Sequence, residues 1–577
     1  MGGIFGILDP SGADQPLLAR AAESASYRGS QRIVASGPFA AGVYVRDGGA
    51  GPLERAGSVL AADARVDGSL QGSQAAKLEH SYRGFELLDE VLRASGPPGL
   101  MGLAADFALA RFDLQQGVLT LVRDAFGVRP LYWAKVGRRF AFASDASVLQ
   151  GLGLASADLD PAVVAGYLAG FGVPRGRTGF KDVFCVPPGS WLSVDLNGRT
   201  SEGRWFDPGQ LAGPRLRTDE AVVATREAVL AALRSRVVGA VVGVSLSGGR
   251  DSGAIALALA ETGVTATCIT QEFDQDLNMD ETGPARSLAE RAGHRWMPSF
   301  VPSNPSEADL ERLPIETGGP LGSFAFPQSH SPAAGAGSAG IQVLLTGQGG
   351  EPLFSPAPVS VLDLLRRGRM RDAAAAARTF DREWTYSYRV IAKAIARALV
   401  PRSLISVREG FRPVAPWLEG KVVRPKEVNT APRDADEHLM ASLLMDEATY
   451  FELEERIHAR YGVVIAHPLM DLRVVRVALQ LSVEDRAPVR EPKPVLARAF
   501  LGALARSRVK MIFTPYYERL SGAILRDYRP LVSPRTSLAA RSGILDPKGL
   551  GSAMEDRWRL EALPLVPLEM WLRQGVE

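Results

Sequence analysis

The chain has 577 residues, 46% of them apolar and 23% charged, with a formal net charge of +2. That length fits about two to four domains, and the composition is that of an ordinary globular protein. Near-neutral charge argues against a dedicated nucleic-acid binder, no apolar run reaches membrane-spanning length, and two cysteines make no disulfide framework.

Residues 1–206 read as one β-rich domain. Strands are expected at Ala40–Val45, Ser58–Ala62, Phe107–Phe112, Val118–Val122 and Phe140–Ala143, with turn residues between them. Cys185 and Cys268 lie in apolar, strand-like runs and are expected to be buried thiols. No basic stretch precedes the first apolar residues, so no secretory signal is expected and the cytoplasm is the expected compartment. The Pro- and Gly-containing stretch 207–217 reads as a linker. Residues 218–577 form the second expected domain. Its first helix has Thr218 as N-cap and Val222, Val229, Leu230 and Leu233 on the buried face.

The most informative stretch follows. A β-branched run, Val241 to Val244, ends at Ser247-Gly248-Gly249-Arg250-Asp251-Ser252, and an Ala/Leu-rich helical pattern begins at once. This is strand, anion-binding loop, helix. Glycines let backbone N–H groups approach an anion, and the helix N-terminus favours negative charge. Asp251 would repel phosphate unless a cation, Mg²⁺, lies between them. The order is not the Walker pattern; it resembles the Ser-Gly-Gly-x-Asp-Ser loop of the ATP pyrophosphatases. Strands at Val264–Thr270 and Ile341–Leu345 and a helix at 281–292 capped by Asp280 continue an alternating, parallel α/β pattern, in which ligands bind at the strand C-termini. Within an insertion at about 355–420, residues 366–412 are strongly basic, with Trp384, Tyr386 and Tyr388 interleaved. This is either a solvated helical face or a docking surface for an acidic partner.

Further motifs follow one another in a recognisable order. They are Gly3-Ile4-Phe5-Gly6, Arg28-Gly29, Arg123-Asp124 through Tyr132, the Ser247–Ser252 loop, Thr346-Gly347-Gln348-Gly349-Gly350-Glu351, Pro468–Asp471 and Arg508–Phe513. Together they resemble the class B asparagine synthetases. The resemblance implies an N-terminal-nucleophile-type αββα sandwich followed by an ATP pyrophosphatase-type α/β domain with a helical C-terminal part. It implies ATP and Mg²⁺ as cofactors. Ser247, Gly248, Gly249 and Ser252 would cradle the phosphates, and Asp251 and Glu351 would hold the metal. Gly347, Gly349 and Gly350 would let ATP approach. Lys510 would stabilise charge near the α-phosphate, with Lys493 in a less defined role. Glu455, or Glu452 one turn away, would be the general base.

The departures from the family pattern narrow the function. The family's glutaminase nucleophile is a Cys after the initiator Met; here that residue is Gly2, which has no side chain to attack with. Ammonia from glutamine is therefore not expected, and the amine must come from elsewhere. Two branches match that condition: β-lactam synthetases and lasso peptide cyclases. Gln348 stands where the first branch has a Tyr, and Val464 and Ala466 replace charges that free aspartate would need. The expectation is a lasso peptide cyclase acting on a precursor peptide, with a leader-recognition protein and a leader peptidase as partners and neither nucleic acid nor membrane. The alternatives are a β-lactam-synthetase-like ligase, an ammonia-dependent asparagine synthetase and an inert docking scaffold.

Overall fold

The structure is a computed structural model. It describes all residues except 1, 47–48, 56, 71–81, 275–278, 280, 304–305, 307–308, 310–311, 313–317, 322–325, 356, 385–386, 401–414, 419–431, 445–447, 490, 503–513, 529–530, 553–563 and 575–577.

The N-terminal region folds as two stacked six-stranded antiparallel sheets. The first runs Phe184–Cys185, Tyr132–Val136, Arg139–Ala143, Ile4–Leu8, Phe39–Val45, Ser30–Ser36 across its width. The second runs Thr200–Arg204, Ser190–Asp195, Val118–Arg123, Leu103–Asp113, Ser58–Ser69, Leu53–Arg55. Side chains alternate across a strand, and the Ile4–Leu8 strand uses both faces. Ile4 and Leu8 enter the core between the sheets with Phe39, Phe112 and Leu121. Phe5 and Ile7 point outward to Leu18 and Val148 of the helices Gln15–Ala22 and Ala146–Gly151. The helix Tyr82–Ser95 covers the outer face of the second sheet through Phe85 and Leu88. The layers are therefore helix, sheet, sheet, helix, as the resemblance implied. Cys185 and Cys268 are free and buried.

The second region is built on a five-stranded parallel sheet ordered Arg295–Phe300, Thr267–Glu272, Val242–Ser245, Val343–Leu345, Val464–Ala466. Both faces are covered, as parallel sheets require. Cys268 and Leu345 pack on one face with the helices Thr218–Arg234 and Arg250–Glu261. Ile269 and Leu344 pack on the other with the helix Phe326–Ser338. A separate core joins Phe273, Met279 and Val301, beyond the strand C-termini, to Trp417, Tyr516 and Leu568 of the C-terminal helical part and to Val164 of the first region.

Two helix starts differ from expectation. Thr218 is the first helical residue rather than the cap, and the Arg217 amide donates to the Glu220 carboxylate at 3.1 Å. Glu281 holds the cap position of Thr282–Arg291; Asp280, the expected cap, lies outside the described residues. Val222 and Leu230 are only half-buried, because Ala221, Thr225, Ala228 and Ala232 share the inner face. No helix among the described residues is long and apolar enough to cross a membrane.

Candidate active site

The central strand, Val242–Ser245, delivers Leu246 to Ser252 to the C-terminal edge of the parallel sheet. Ser252, the third residue of the helix that follows, ties the loop together. Its Oγ accepts from the Ser247 amide at 3.1 Å and lies 3.0 Å from the Ser247 Oγ, which in turn accepts from the Gly249 amide at 3.1 Å. Gly249 is the N-cap. The Gly248 amide donates at 3.0 Å to a carboxylate oxygen of Glu281. A backbone N–H of this loop thus holds an anionic oxygen, the group type that its geometry suits.

The second loop follows the neighbouring strand, Val343–Leu345, and packs against the first. A Cβ on Gly350 would come within 2.2 Å of the Asp251 side chain, and one on Gly347 within 2.5 Å of the Ser252 amide nitrogen. These glycines are therefore required by the contact between the two loops. Gly349 differs. Its φ is +92°, and a Cβ there would meet the Met470 sulfur at 2.6 Å.

That loop contact brings two carboxylates together. The Lys493 ammonium hydrogen-bonds to Asp251 and lies 3.0 Å from Glu351 Oε2. Burial alone would lower the Lys493 pKa, but the two carboxylates outweigh it and raise the pKa. Among the described residues Lys493 is the one non-glycine residue in the left-handed region, with φ 53°, immediately before Pro494. Such strain persists where surrounding contacts hold it, here the two carboxylates. Lys493 entered only through the family resemblance; the signal that ranks it is the pairing with Asp251 and Glu351, which needs the tertiary fold.

The donor set fits Mg²⁺, which typically takes one or two carboxylates and completes its shell with phosphate oxygens and water. Among the described residues no group of three or more His, Cys, Asp or Glu could hold a metal alone. Lys510 lies outside the described residues.

Glu455 requires a correction. It is 1% exposed, and both its oxygens accept from Arg28 of the first region, at 2.8 and 3.0 Å. Arg28 also donates to the Gly2 carbonyl at 3.3 Å. A carboxylate buried this way cannot serve as a substrate-facing base. Glu452 is likewise committed: it accepts from Arg123 at 2.7 Å and from the Tyr132 hydroxyl at 2.5 Å. Helical spacing turns both toward the first region, while Glu454 turns the other way and accepts from Ser329.

A second buried cluster joins the regions beside the Pro468–Asp471 motif. Asp471 caps the helix Leu472–Leu479, accepts from Arg236 at 2.8 Å and pairs with Arg473, which reaches Asp67 at 3.0 Å. His467, just before the motif, is buried, and its Nδ1 lies 2.7 Å from the Thr346 hydroxyl. Burial pushes its pKa down to about 3, so it is neutral. Sequence reasoning did not single out Glu281, Arg236 or His467.

Around Gly2 there is no room for a nucleophile. A Cβ there would stand 1.9 Å from the Tyr44 carbonyl oxygen.

Residues 224–573 match the model of the asparagine synthase family, and residues 76–206 match that of a glutamine amidotransferase domain. Among curated proteins the chain is similar to "Amidase chyE" of Penicillium rubens, 26% identical over 291 residues, 46% of this chain and 41% of that protein. It is also similar to "Amidase chry2" of Gibberella zeae, 28% identical over 211 residues, 33% and 31% of the two chains. The chain thus spans less than half the length of these relatives. Among solved structures it is similar to glutamine phosphoribosylpyrophosphate amidotransferase from B. subtilis complexed with ADP and GMP, at 14% identity and TM-score 0.25, covering 53% of this chain and 69% of that one. A structure of the allosteric regulatory enzyme of purine biosynthesis is similar at 14% identity and TM-score 0.27, covering 51% and 80%.

Proposed function

Since this chain belongs to the asparagine synthase family, we propose that it is an ATP- and Mg²⁺-dependent amide-forming ligase, and specifically a lasso peptide cyclase. The observation that carries the ligase reading is the convergence of Asp251 and Glu351, from two loops at one sheet edge, on a single cation. Asp251 and Glu351 would hold Mg²⁺, which when bound would supply neutralisation of phosphate charge. The Ser247–Ser252 loop holds the β- and γ-phosphates through its backbone N–H groups. An Asp or Glu side-chain carboxylate of the peptide attacks the α-phosphorus, and pyrophosphate leaves. The peptide's N-terminal amine then attacks the acyl carbon, loses a proton and displaces AMP. The net change in the peptide is the loss of one water. Lys510 and Lys493 place positive charge where negative charge builds up on the leaving groups.

The macrolactam reading is supported by what Gly2 lacks. Without a thiol, and with the Tyr44 carbonyl occupying its space, the first region supplies no ammonia, so the amine belongs to the substrate. The same fact counts against amide hydrolysis by an N-terminal thiol, whatever the relatives named amidases do. A leader-recognition protein and a leader peptidase would deliver the free amine.

The test is mass spectrometry of peptides from cells expressing the chain with its neighbouring open reading frames, with and without Lys510→Ala. A core peptide lighter by one water, resistant to carboxypeptidase and absent with the variant, is expected. A linear peptide in both samples overturns the macrolactam reading. Mg²⁺-ATP-dependent pyrophosphate release with small-molecule acids would then identify a different amide ligase.

A further inference from the structure

The segment around Lys493 is built to hold one ammonium in place. Pro492 and Pro494 flank it. Proline fixes its own φ and pushes the residue before it towards extended backbone, yet Lys493 stands at φ 53° and ψ 55°, a conformation that costs a non-glycine residue free energy. The chain after it is anchored. Val495 and Leu496 are buried in the core that contains Leu233 and Leu259, and the Ala497 amide donates to the Lys493 carbonyl at 2.9 Å. The strained position therefore delivers its side chain to Asp251 and Glu351 from a fixed base.

Burial changes across this contact. Lys493 is 5% exposed, Asp251 is half-buried and Glu351 is exposed. The ammonium reaches the carboxylates from the protein side, and solvent reaches them from the other. The two loops pack so closely that a Cβ on Gly350, the neighbour of Glu351, would overlap Asp251. Two like charges are thus brought together by loop packing, and Lys493 balances one of them from within the protein. Carboxylate oxygens are also what Mg²⁺ takes, so ammonium and metal draw on the same pair. A divalent ion arriving alone meets a half-neutralised pair and a fixed positive charge. One arriving with phosphates brings its own compensating charge.

We infer that Lys493 is a resident counter-ion of the two loops: it keeps Asp251 and Glu351 assembled and disfavours a divalent cation without nucleotide, so that metal and nucleotide are taken up together. The inference rests on the ligase reading for the carboxylates as metal ligands. It makes Lys493 a positioning residue, a role separate from stabilising the leaving groups.

Equilibrium dialysis of Mn²⁺, an oxygen-preferring stand-in for Mg²⁺, against the full chain tests this without turnover. It is run with and without α,β-methylene-ATP, which cannot release pyrophosphate. The parent should retain Mn²⁺ with the analogue and much less without it. Lys493→Met should bind Mn²⁺ without nucleotide about tenfold more tightly than the parent, and Lys493→Arg, which keeps the charge, should not. Adding Asp251→Asn to Lys493→Met should abolish the gain. Thermal unfolding supplies a second reading: Lys493→Met should melt below the parent in EDTA and recover more than the parent does on adding Mn²⁺. Unchanged or weaker Mn²⁺ binding by Lys493→Met, or an equal gain in Lys493→Arg, would overturn the inference. If Lys493→Met is unfolded in EDTA, failure of Mn²⁺ to restore its circular dichroism would overturn it as well. A parent that retains no Mn²⁺ with the analogue, while Lys493→Met still shows its gain, removes the ligase reading alone. Retention by the parent with no gain in Lys493→Met removes the counter-ion alone.

Discussion

Around Gly2 the nearest neighbour of an added Cβ is a backbone carbonyl, Tyr44 O, at 1.9 Å; around Gly248 it is the Glu281 side chain, at 3.3 Å. The first obstacle sits in a β-ladder and cannot move without breaking the sheet. The second is a side chain at ordinary near-contact distance, not backbone. Gly2 replaces the family's Cys just before one motif and Gly248 lies within another, yet the first is sealed by backbone and buried ion pairs while the second holds a side-chain carboxylate. Retention of a domain's fold is therefore separable from retention of its chemistry.

The largest expected effect tests the loop. Asp251→Asn removes one of the two carboxylates and should lower pyrophosphate release about 10³-fold while the protein stays folded by circular dichroism. Release within a few-fold of the parent would mean that the two loops are not the nucleotide site.

The next tests the seam. Glu455→Gln leaves Arg28 buried opposite a neutral partner, and should cost about 3–5 kcal/mol of unfolding free energy, measured by urea denaturation. A variant of unchanged stability but abolished turnover would restore Glu455 to the chemistry.

Acid should act on the same seam. Burial alone would raise the pKa of Asp471 and Asp106, but Arg473 and Arg236 outweigh it for Asp471, and Arg65 and Arg236 for Asp106. Both carboxyls are held below the usual range. The unfolded chain, with aspartate near about 3.9, then binds more protons as the pH falls. Their stabilisation is complete above about pH 5 and is lost progressively below it. A urea midpoint that stays constant from pH 7 to about pH 3.5 would contradict this.

Glu281→Gln tests the carboxylate held at Gly248. Removing the competing charge should lower the KM for Mg²⁺-ATP about threefold, with little change in kcat. A higher KM would make Glu281 part of the nucleotide site rather than a competitor for it. The smallest effect is expected of Gly2→Cys, which should release no glutamate from glutamine. Measurable release would show that the pocket had kept its other parts.

Much of the site was legible because its signals are local. A β-branched strand, two glycines, an acid and a helix start lie within about a dozen residues, and alternating apolar patterns place them at a sheet edge. The base assignment failed for a physical reason. Glu452, Glu454 and Glu455 share one helix, and helical spacing alone leaves open which face meets which neighbour. Arg28 and Arg123 are more than 300 positions away in the chain, so no local pattern records their pairing.

The sequence alone determined the two-part architecture, the order of the loops and the absence of a thiol at position 2, since these depend on residue type and near-neighbour spacing. Only the tertiary structure decided that Lys493 bridges Asp251 and Glu351, that Gly347 and Gly350 serve contact between the loops, and that Glu455 belongs to the seam. Each depends on which distant side chains pack together, and in a low-dielectric interior that packing decides whether a charge is paired or available for chemistry.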